Sequence, residues 1–202
     1  GNTFSEIART RTYNRLNSLR NFKYPTIRYT PDPEDSTRTD LVANIFLTPQ
    51  QKYSLGFDFE ISQSNIQEFG IGFGGSLLIR NVFRGAENLE ISGRGSIGSS
   101  TDAAANSDKD RFFDISEIGA DLKLSFPRIF LPVNTESIIP KYMSPFTTLS
   151  LGVSTQSNIG LDKRNLSGAM EYRWTPSRQL SNRLDLLNIQ YVRNLNTDNY
   201  FN

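Results

Sequence analysis

Asp58 and Glu60 are the residues whose types and spacing come nearest to a catalytic pair. They stand two positions apart in an alternating run, and in a strand such residues lie on one face. Two carboxylates about 5–10 Å apart around a substrate can carry out glycoside hydrolysis. The simpler interpretation is that both carboxylates face a water-filled interior, where they need no partner. We favour that interpretation.

Other kinds of chemistry find little support in the sequence. The chain has no histidine and no cysteine, which removes the commonest general base, the commonest metal ligand and any disulfide. Ser96 and Ser99 do not form a G-x-S-x-G motif and have no histidine to activate them. The segment 70–75 satisfies G-x-G-x-x-G, but it continues as a strand rather than opening a helix, so a phosphate site is not expected.

An acidic group in the segment 102–114 is the remaining metal candidate. Its members are Asp102, Asp108, Asp110 and Asp114. Their spacing lacks the D-x-[DN]-x-[DN]-G pattern of a calcium loop, and a solvated loop is the better account. The sequence therefore predicts a protein that is not an enzyme and that uses neither a metal nor a cofactor.

Composition narrows the class of protein. The 202 residues are 37% hydrophobic, with a mean hydropathy of −0.44 and a net charge of +1. No basic block is present, so nucleic-acid binding is not expected. No run approaches the ~18 consecutive apolar residues that a spanning helix needs. A membrane barrel is still compatible with these averages, because its strands alternate apolar and polar residues.

Period-two alternation dominates residues 50–202. It begins with Tyr53, Leu55, Phe57, Phe59 and Ile61, which alternate with Ser54, Gly56, Asp58, Glu60 and Ser62. Similar runs follow near residues 69–79, 89–94, 118–126, 147–154, 166–174 and 187–193. The pattern predicts about seven antiparallel, up-and-down strands of ~9–12 residues, the length that crosses a bilayer when tilted.

Strand length and charge distinguish two β architectures. A soluble β-sandwich or lipocalin-like barrel also alternates, but strands in globular proteins average about five to six residues. Charged residues inside the strands, such as Arg94, Asp121 and Lys123, suit a wet interior better than a dry core. The sequence therefore favours a transmembrane barrel, and the soluble β protein remains the alternative.

The connections are predicted to alternate in length. Residues 81–86 and a turn beginning at residues 175–178 are short, whereas 99–110 and 155–165 are longer and polar. Short turns on one side and longer loops on the other are typical of outer-membrane barrels. The Pro-rich link 127–145 departs from this rule. Phe83, Tyr172 and Trp174, beside turns, suit either an interfacial aromatic girdle or an ordinary core.

Residues 1–49 have a different character. Spacing predicts a helix over residues 3–20, a strand at 26–29, a turn at 31–36 and a second strand at 40–48. Helix, strand, loop and strand describe the end of a small α+β domain that precedes the alternating region.

The sequence resembles the BamA/TamA superfamily of outer-membrane insertases (the bacterial surface antigen family), in its Bacteroidetes form. The most specific match is Asn81, Phe83, Gly85, Glu87 and Leu89, which follow the family's N-x-F-x-G-x-E-x-L periplasmic turn. Further matching segments are 13–23, 40–47, 50–57, 69–74 and 147–174. The resemblance implies that residues 1–49 end a polypeptide-transport-associated (POTRA) domain and that residues 50–202 begin a larger outer-membrane barrel.

The resemblance also implies a function. The chain would help to fold and insert barrel proteins at the bacterial outer membrane, with its N-terminal part in the periplasm. Tyr53, Leu55, Phe57, Phe59 and Ile61 would form a seam strand that templates an incoming strand. Leu41, Ala43, Ile45 and Leu47 would form a POTRA edge strand.

Expected partners are the lipid bilayer, unfolded outer-membrane clients and periplasmic or lipoprotein partners. The alternatives are a channel or surface receptor without insertase activity, and a hydrolase fused to such a barrel.

Overall fold

A computed structural model describes residues 4–33, 41–63, 67–100, 115–132, 135–158, 161–177 and 179–195. The fold is mainly β, as predicted. One helix, α1 (Glu6–Ser18), precedes β1 (Phe22–Pro31), β2 (Leu41–Pro49), β3 (Tyr53–Ser62), β4 (Gln67–Arg80), β5 (Asn88–Ser100) and β6 (Ile115–Phe126). A short 3-10 helix (Lys141–Met143) then leads to β7 (Phe146–Asn158), β8 (Leu161–Ser177) and β9 (Leu180–Asn194).

Local capping sets the ends of α1. The Ser5 hydroxyl accepts a hydrogen bond from the backbone N–H of Ala8 at 3.3 Å, which satisfies one of the donors left free at a helix start. Glu6 in the first turn complements the helix dipole. Arg20 has a φ of 58°, a left-handed conformation that cannot continue the helix. The helix is therefore shorter than the predicted segment 3–20.

β1 and β2 form a two-stranded antiparallel sheet of their own. Ile27 lies opposite Ile45 and Tyr29 opposite Ala43. The register shifts between Lys23 and Thr26, where Pro25 has no N–H to donate to the ladder. β1 thus begins at Phe22, earlier than predicted, because the proline is accommodated in a bulge. The helix α1 packs on β1, and the Phe4 ring meets the Tyr29 ring edge-on at 4.8 Å.

The seven strands β3 to β9 form a second sheet in chain order, each antiparallel to the next. The predicted up-and-down arrangement of about seven strands is confirmed. Because the direction reverses at every step, β3 and β9 run the same way. The sheet is open: over the described ranges β3 pairs only with β4 and β9 only with β8, and no barrel closes.

The connections contradict part of the predicted pattern. The sequence predicts a polar loop over residues 155–165, but β7 runs to Asn158 and β8 starts at Leu161. Thr155 pairs with Arg164 and Gln156 with Lys163, because their backbones continue the ladder whatever their side chains. β8 also extends through the predicted turn at 175–178, as far as Ser177. Long and short links therefore occur at both ends of the sheet.

We call the end of the sheet that holds the 81–87 turn the turn end, and the opposite end the loop end. Residues 101–114, which include the acidic group considered above, lie outside the described residues. Over the described residues, no helix combines the length and apolarity needed to cross a membrane.

Buried side chains are few. Ile27 and Tyr172 are the buried hydrophobic residues of the described chain, at 8% and 3% exposure. Asn21, Glu87 and Thr147 are buried polar residues. Within the part of the chain that the structure describes, the large sheet therefore has no apolar core against which its own apolar side chains pack.

Candidate functional site

The seven-stranded sheet has one apolar face. Cross-strand register places apolar or small residues side by side from β3 to β9. One row is Tyr53, Ile79, Leu89, Leu124, Leu149, Met170 and Leu187; the next is Leu55, Leu77, Ile91, Leu122, Leu151, Gly168 and Ile189; a third is Phe57, Gly75, Gly93, Ala120, Val153, Leu166 and Tyr191. We call this surface the apolar face.

No described residue covers most of the apolar face. Phe57 is 83% exposed, Leu55 69% and Ile118 68%. Continuous apolar surfaces of this kind are unusual on monomers in water and are typical of surfaces that contact lipid or protein. The five seam-strand residues predicted from the sequence all lie on it.

The opposite face is polar. Its rows mix small residues with charges, for example Gly56, Ser76, Ser92, Asp121, Gly152, Ser167 and Gln190. Arg94 forms ion pairs with Asp121 at 2.5 Å and with Glu117 at 3.4 Å. These pairs are exposed, so they add little stability. We call this surface the polar face.

Asp58 and Glu60 lie together on the polar face, as their spacing predicts. The carboxylate of Asp58 rests against Gly74 of β4, in the place that a Cβ there would occupy. The glycine-rich segment 70–75 is part of β4, as its alternation predicted, and it forms no phosphate-binding turn.

The backbone of β3 leaves a row of hydrogen-bonding groups free. Arg80 donates its N–H to the carbonyl of Lys52 at 2.8 Å, so this opposed pair is a hydrogen-bonded pair of the ladder. Antiparallel ladders alternate such pairs with pairs whose groups point away. The N–H and C=O groups of Tyr53, Leu55, Phe57, Phe59 and Ile61 therefore point away from β4, towards the unpaired edge.

The strand predicted over residues 40–48 is present as β2. Leu41, Ala43, Ile45 and Leu47 occupy alternate positions and are all exposed. Over the described residues β2 pairs only with β1, so its second edge carries no strand. The strand is thus where the sequence predicts it, with its apolar side chains largely uncovered.

The 81–87 turn is fixed by two of its own side chains. The Asn81 side-chain oxygen accepts from the N–H of Ala86 at 2.9 Å, and the Glu87 carboxylate accepts from the N–H of Gly85 at 2.8 Å. Glu87 is only 5% exposed, whereas Phe83 is 63% exposed. A Cβ at Gly85 would collide with the Glu87 carboxylate, which explains the glycine. The four residues singled out from the sequence therefore do meet in one turn, and Asn81, Gly85 and Glu87 shape it.

The Pro-rich link beyond β6 covers one corner of the apolar face. The Thr147 hydroxyl donates to the carbonyl of Arg128 at 2.7 Å and accepts from the N–H of Phe130 at 2.9 Å. The Tyr172 hydroxyl donates to the carbonyl of Phe130 at 2.8 Å. Tyr172 is buried by this link and so does not belong to an exposed aromatic girdle. Nothing in the sequence indicated the contact, because it joins segments far apart in the chain.

The helix α1 is docked at the turn end of the sheet. The Arg15 guanidinium donates to the carbonyls of Pro127 and Pro145 and stacks 5.6 Å from the Phe146 ring centroid. Burial lowers the pKa of Arg15 from its usual value. The Asn88 side chain donates to the carbonyl of Leu19 at 3.2 Å. These contacts tie the N-terminal unit to both ends of the link and to β5.

A cavity of about 430 Å³ lies between the C-terminal end of α1 and the polar face. Its charged lining includes both signs, from Arg20, Arg80, Glu90, Lys123, Glu171 and Arg173. Over the described residues, no three His, Cys, Asp or Glu side chains gather to hold a metal ion.

Comparison of the chain with protein-family models, with curated proteins and with solved structures finds no match in any of the three.

Proposed function

We propose that the chain is part of an outer-membrane assembly factor that folds and inserts β-barrel proteins by templating strands along β3. The proposal assigns no enzymatic step. The observation that carries it is the free edge of β3, whose outward-pointing backbone groups belong to residues of the exposed apolar face.

The apolar face suits contact with lipid. On β4 its side chains run from Phe69 to Ile79, a length of about 33 Å at ~3.3 Å per residue. With strands tilted by about 40°, that length covers a height of about 25 Å, which equals the apolar band of outer-membrane barrels. The polar face then borders an aqueous interior, where Asp58, Glu60 and Arg94 need no burial.

The free edge of β3 suits an incoming strand. An unpaired edge offers alternating donors and acceptors to any extended segment that arrives beside it. Inside a bilayer an unpaired backbone group costs roughly several kcal/mol. A client strand that pairs along β3 is therefore strongly favoured over one that does not. The apolar side chains of β3 would continue directly into those of the client.

The N-terminal unit suits a periplasmic role. It lies at the turn end of the sheet, held there by Arg15 and Asn88. The open edge of β2 offers a second place for extended clients or for periplasmic and lipoprotein partners to pair.

Proline substitutions test the templating step. Phe57→Pro and Phe59→Pro each remove an N–H that points to the open edge while sparing the bonds to β4. The controls are Phe57→Ala and Phe59→Ala, which remove the same rings but keep the N–H. The assay uses vesicles that contain the full-length protein. Insertion of a β-barrel client is measured as the fraction of client that becomes protected from protease. We expect a large loss with proline and little with alanine. Equal insertion by the proline and alanine variants would rule out templating along β3.

A channel or receptor barrel without insertase activity is the second candidate. The polar face and its charge pairs around Arg94 favour it, since they would line a conducting interior. Conductance of the full-length protein in planar bilayers distinguishes the two. Steady ion conductance together with no client insertion would favour the channel.

A further inference from the structure

Charge is divided unequally between the two faces of the large sheet. The polar face carries most of it, including Asp58, Arg94 and Glu171. Over the described and paired positions of β3 to β9, the apolar face carries charge only at Asp162, Arg164 and Arg193. All three lie at the loop end of β8 and β9, where the apolar face stops.

Arg164 and Arg193 are direct cross-strand neighbours. They are opposed in the register of β8 and β9, and both are exposed. Leu195 donates its N–H to the carbonyl of Asp162 at 2.7 Å, so the Arg164–Arg193 pair is also hydrogen-bonded through its backbone. Such pairs have Cβ atoms about 5.5 Å apart, and like charges at that position repel.

Direct ion pairing does not offset this repulsion within the described residues. No carboxylate of these residues forms an ion pair with Arg164 or Arg193. The Asp162 carboxylate on the same face accepts a hydrogen bond from the Ser157 hydroxyl. The next residues on the same face towards the turn end are Leu166 and Tyr191, which are 54% and 60% exposed.

We propose that Arg164 and Arg193 together bind the phosphate headgroup of a membrane amphiphile whose acyl chains lie along Leu166 and Tyr191. Guanidinium groups match phosphate oxygens in a two-pronged geometry and are less strongly hydrated than ammonium groups. A phosphate between the two side chains cancels their repulsion, and the adjacent apolar rows accept the chains. This site rests on the proposed function only in that the apolar face must contact lipid.

The test uses the full chain in neutral maltoside micelles, titrated with phosphatidic acid. Phosphatidylcholine and inorganic phosphate are the comparison ligands, and native mass spectrometry counts the bound molecules. The test variant is Arg164→Gln with Arg193→Gln. Its matched control is Lys123→Gln with Lys163→Gln, which removes the same charge from the polar face. Circular dichroism checks that each variant keeps its β structure.

We expect phosphatidic acid to bind the double arginine variant at least about tenfold more weakly than it binds the unchanged chain. Its affinity for the lysine control should be unchanged. Phosphatidylcholine should bind the unchanged chain and both variants alike. Inorganic phosphate should bind poorly because it lacks acyl chains. An equal loss in both variants, or phosphate binding as tight as that of the lipid, would overturn the site.

The size of the bound detergent layer separates this inference from the proposed function. A normal layer without preference for phosphatidic acid removes only the headgroup site. A chain that binds no detergent layer at all overturns the site and also the lipid-facing assignment on which the proposed function depends.

Discussion

The ring of Phe73 on β4 lies over Gly95 on β5: a Cβ added at Gly95 would stand 2.9 Å from the ring's Cζ atom. The two residues are opposed in the register of the sheet. The aromatic ring covers backbone that the glycine leaves bare, a known way of stabilising glycines in sheets.

Gly95→Ala should therefore be less stable than Gly93→Ala, because its new methyl group pushes the end of the Phe73 ring off the backbone of Gly95. Gly93→Ala is the control, since a Cβ there meets its nearest neighbour, the Gly119 carbonyl oxygen, at an ordinary 3.8 Å. Urea unfolding in micelles gives both free energies. Equal stability of the two variants would mean that the ring moves aside without cost.

Glu87→Ala should loosen the 81–87 turn. The substitution removes the acceptor of the Gly85 N–H, and because Gly85 is exposed and water can replace that acceptor, the cost should be about 0.5–1.5 kcal/mol. Glu87→Gln keeps an oxygen at the same place and should lose less. Hydrogen exchange at Gly85 and Ala86 measures the effect.

Arg84, which has a φ of 66°, provides an opposite test, because Arg84→Gly should leave the turn intact or tighten it.

Arg15→Met should release α1 from the turn end of the sheet. Two carbonyls of the link would lose a charged donor, and hydrogen bonds to charged groups contribute roughly 1.5–3 kcal/mol. Limited proteolysis of α1 should become faster. Arg9→Met is the matched control, because Arg9 pairs with Glu6 at the surface and such pairs contribute little. Equal protease resistance of the two variants would contradict the docking role of Arg15.

Thr147→Val should free the start of the link. Valine has nearly the same shape, but it neither donates to the Arg128 carbonyl nor accepts from the Phe130 N–H. The unsatisfied groups should cost about 1–3 kcal/mol, and the fluorescence of an environment-sensitive label near Phe130 should report the movement. Thr148→Val, on the polar face next in sequence, should leave the label unchanged.

Leu151→Lys tests which face contacts lipid. Leu151 is 59% exposed in the middle row of the apolar face. A lysine facing the bilayer midplane costs about 2–4 kcal/mol, so folding of the full-length protein into vesicles should be impaired. Ser150→Lys places the same charge on the polar face and should be tolerated. The reverse result would assign the lipid contact to the polar face.

Local pattern was enough to predict most of the strands. Alternation from Tyr53 to Ile61 identifies β3 because apolar side chains two apart must share a face. The same logic failed at residues 155–165, whose polar composition is typical of a loop. In this segment the backbone hydrogen bonds of the ladder continue past Thr155 and Arg164 although the side chains are polar. Composition alone does not predict such pairing.

Contacts between distant segments were beyond the reach of the sequence. The sequence allows Tyr172 to lie either in an aromatic girdle or in a core. Tyr172 is buried because the link beyond Pro127 passes over it. The juxtaposition of Arg164 and Arg193 depends on the register of β8 and β9, which is set by the whole ladder. Register and chain path are cooperative properties of the sheet, so no short motif encodes them.

The common direction of β3 and β9 limits what can join the two borders of the sheet. Placed side by side, these borders would meet as a parallel ladder, out of keeping with the alternation elsewhere in the sheet. A single strand running the opposite way would be antiparallel to both borders at once, and so would any odd-numbered meander. The number of inserted strands must therefore be odd, and one extended segment is the smallest insert that keeps every neighbouring pair antiparallel.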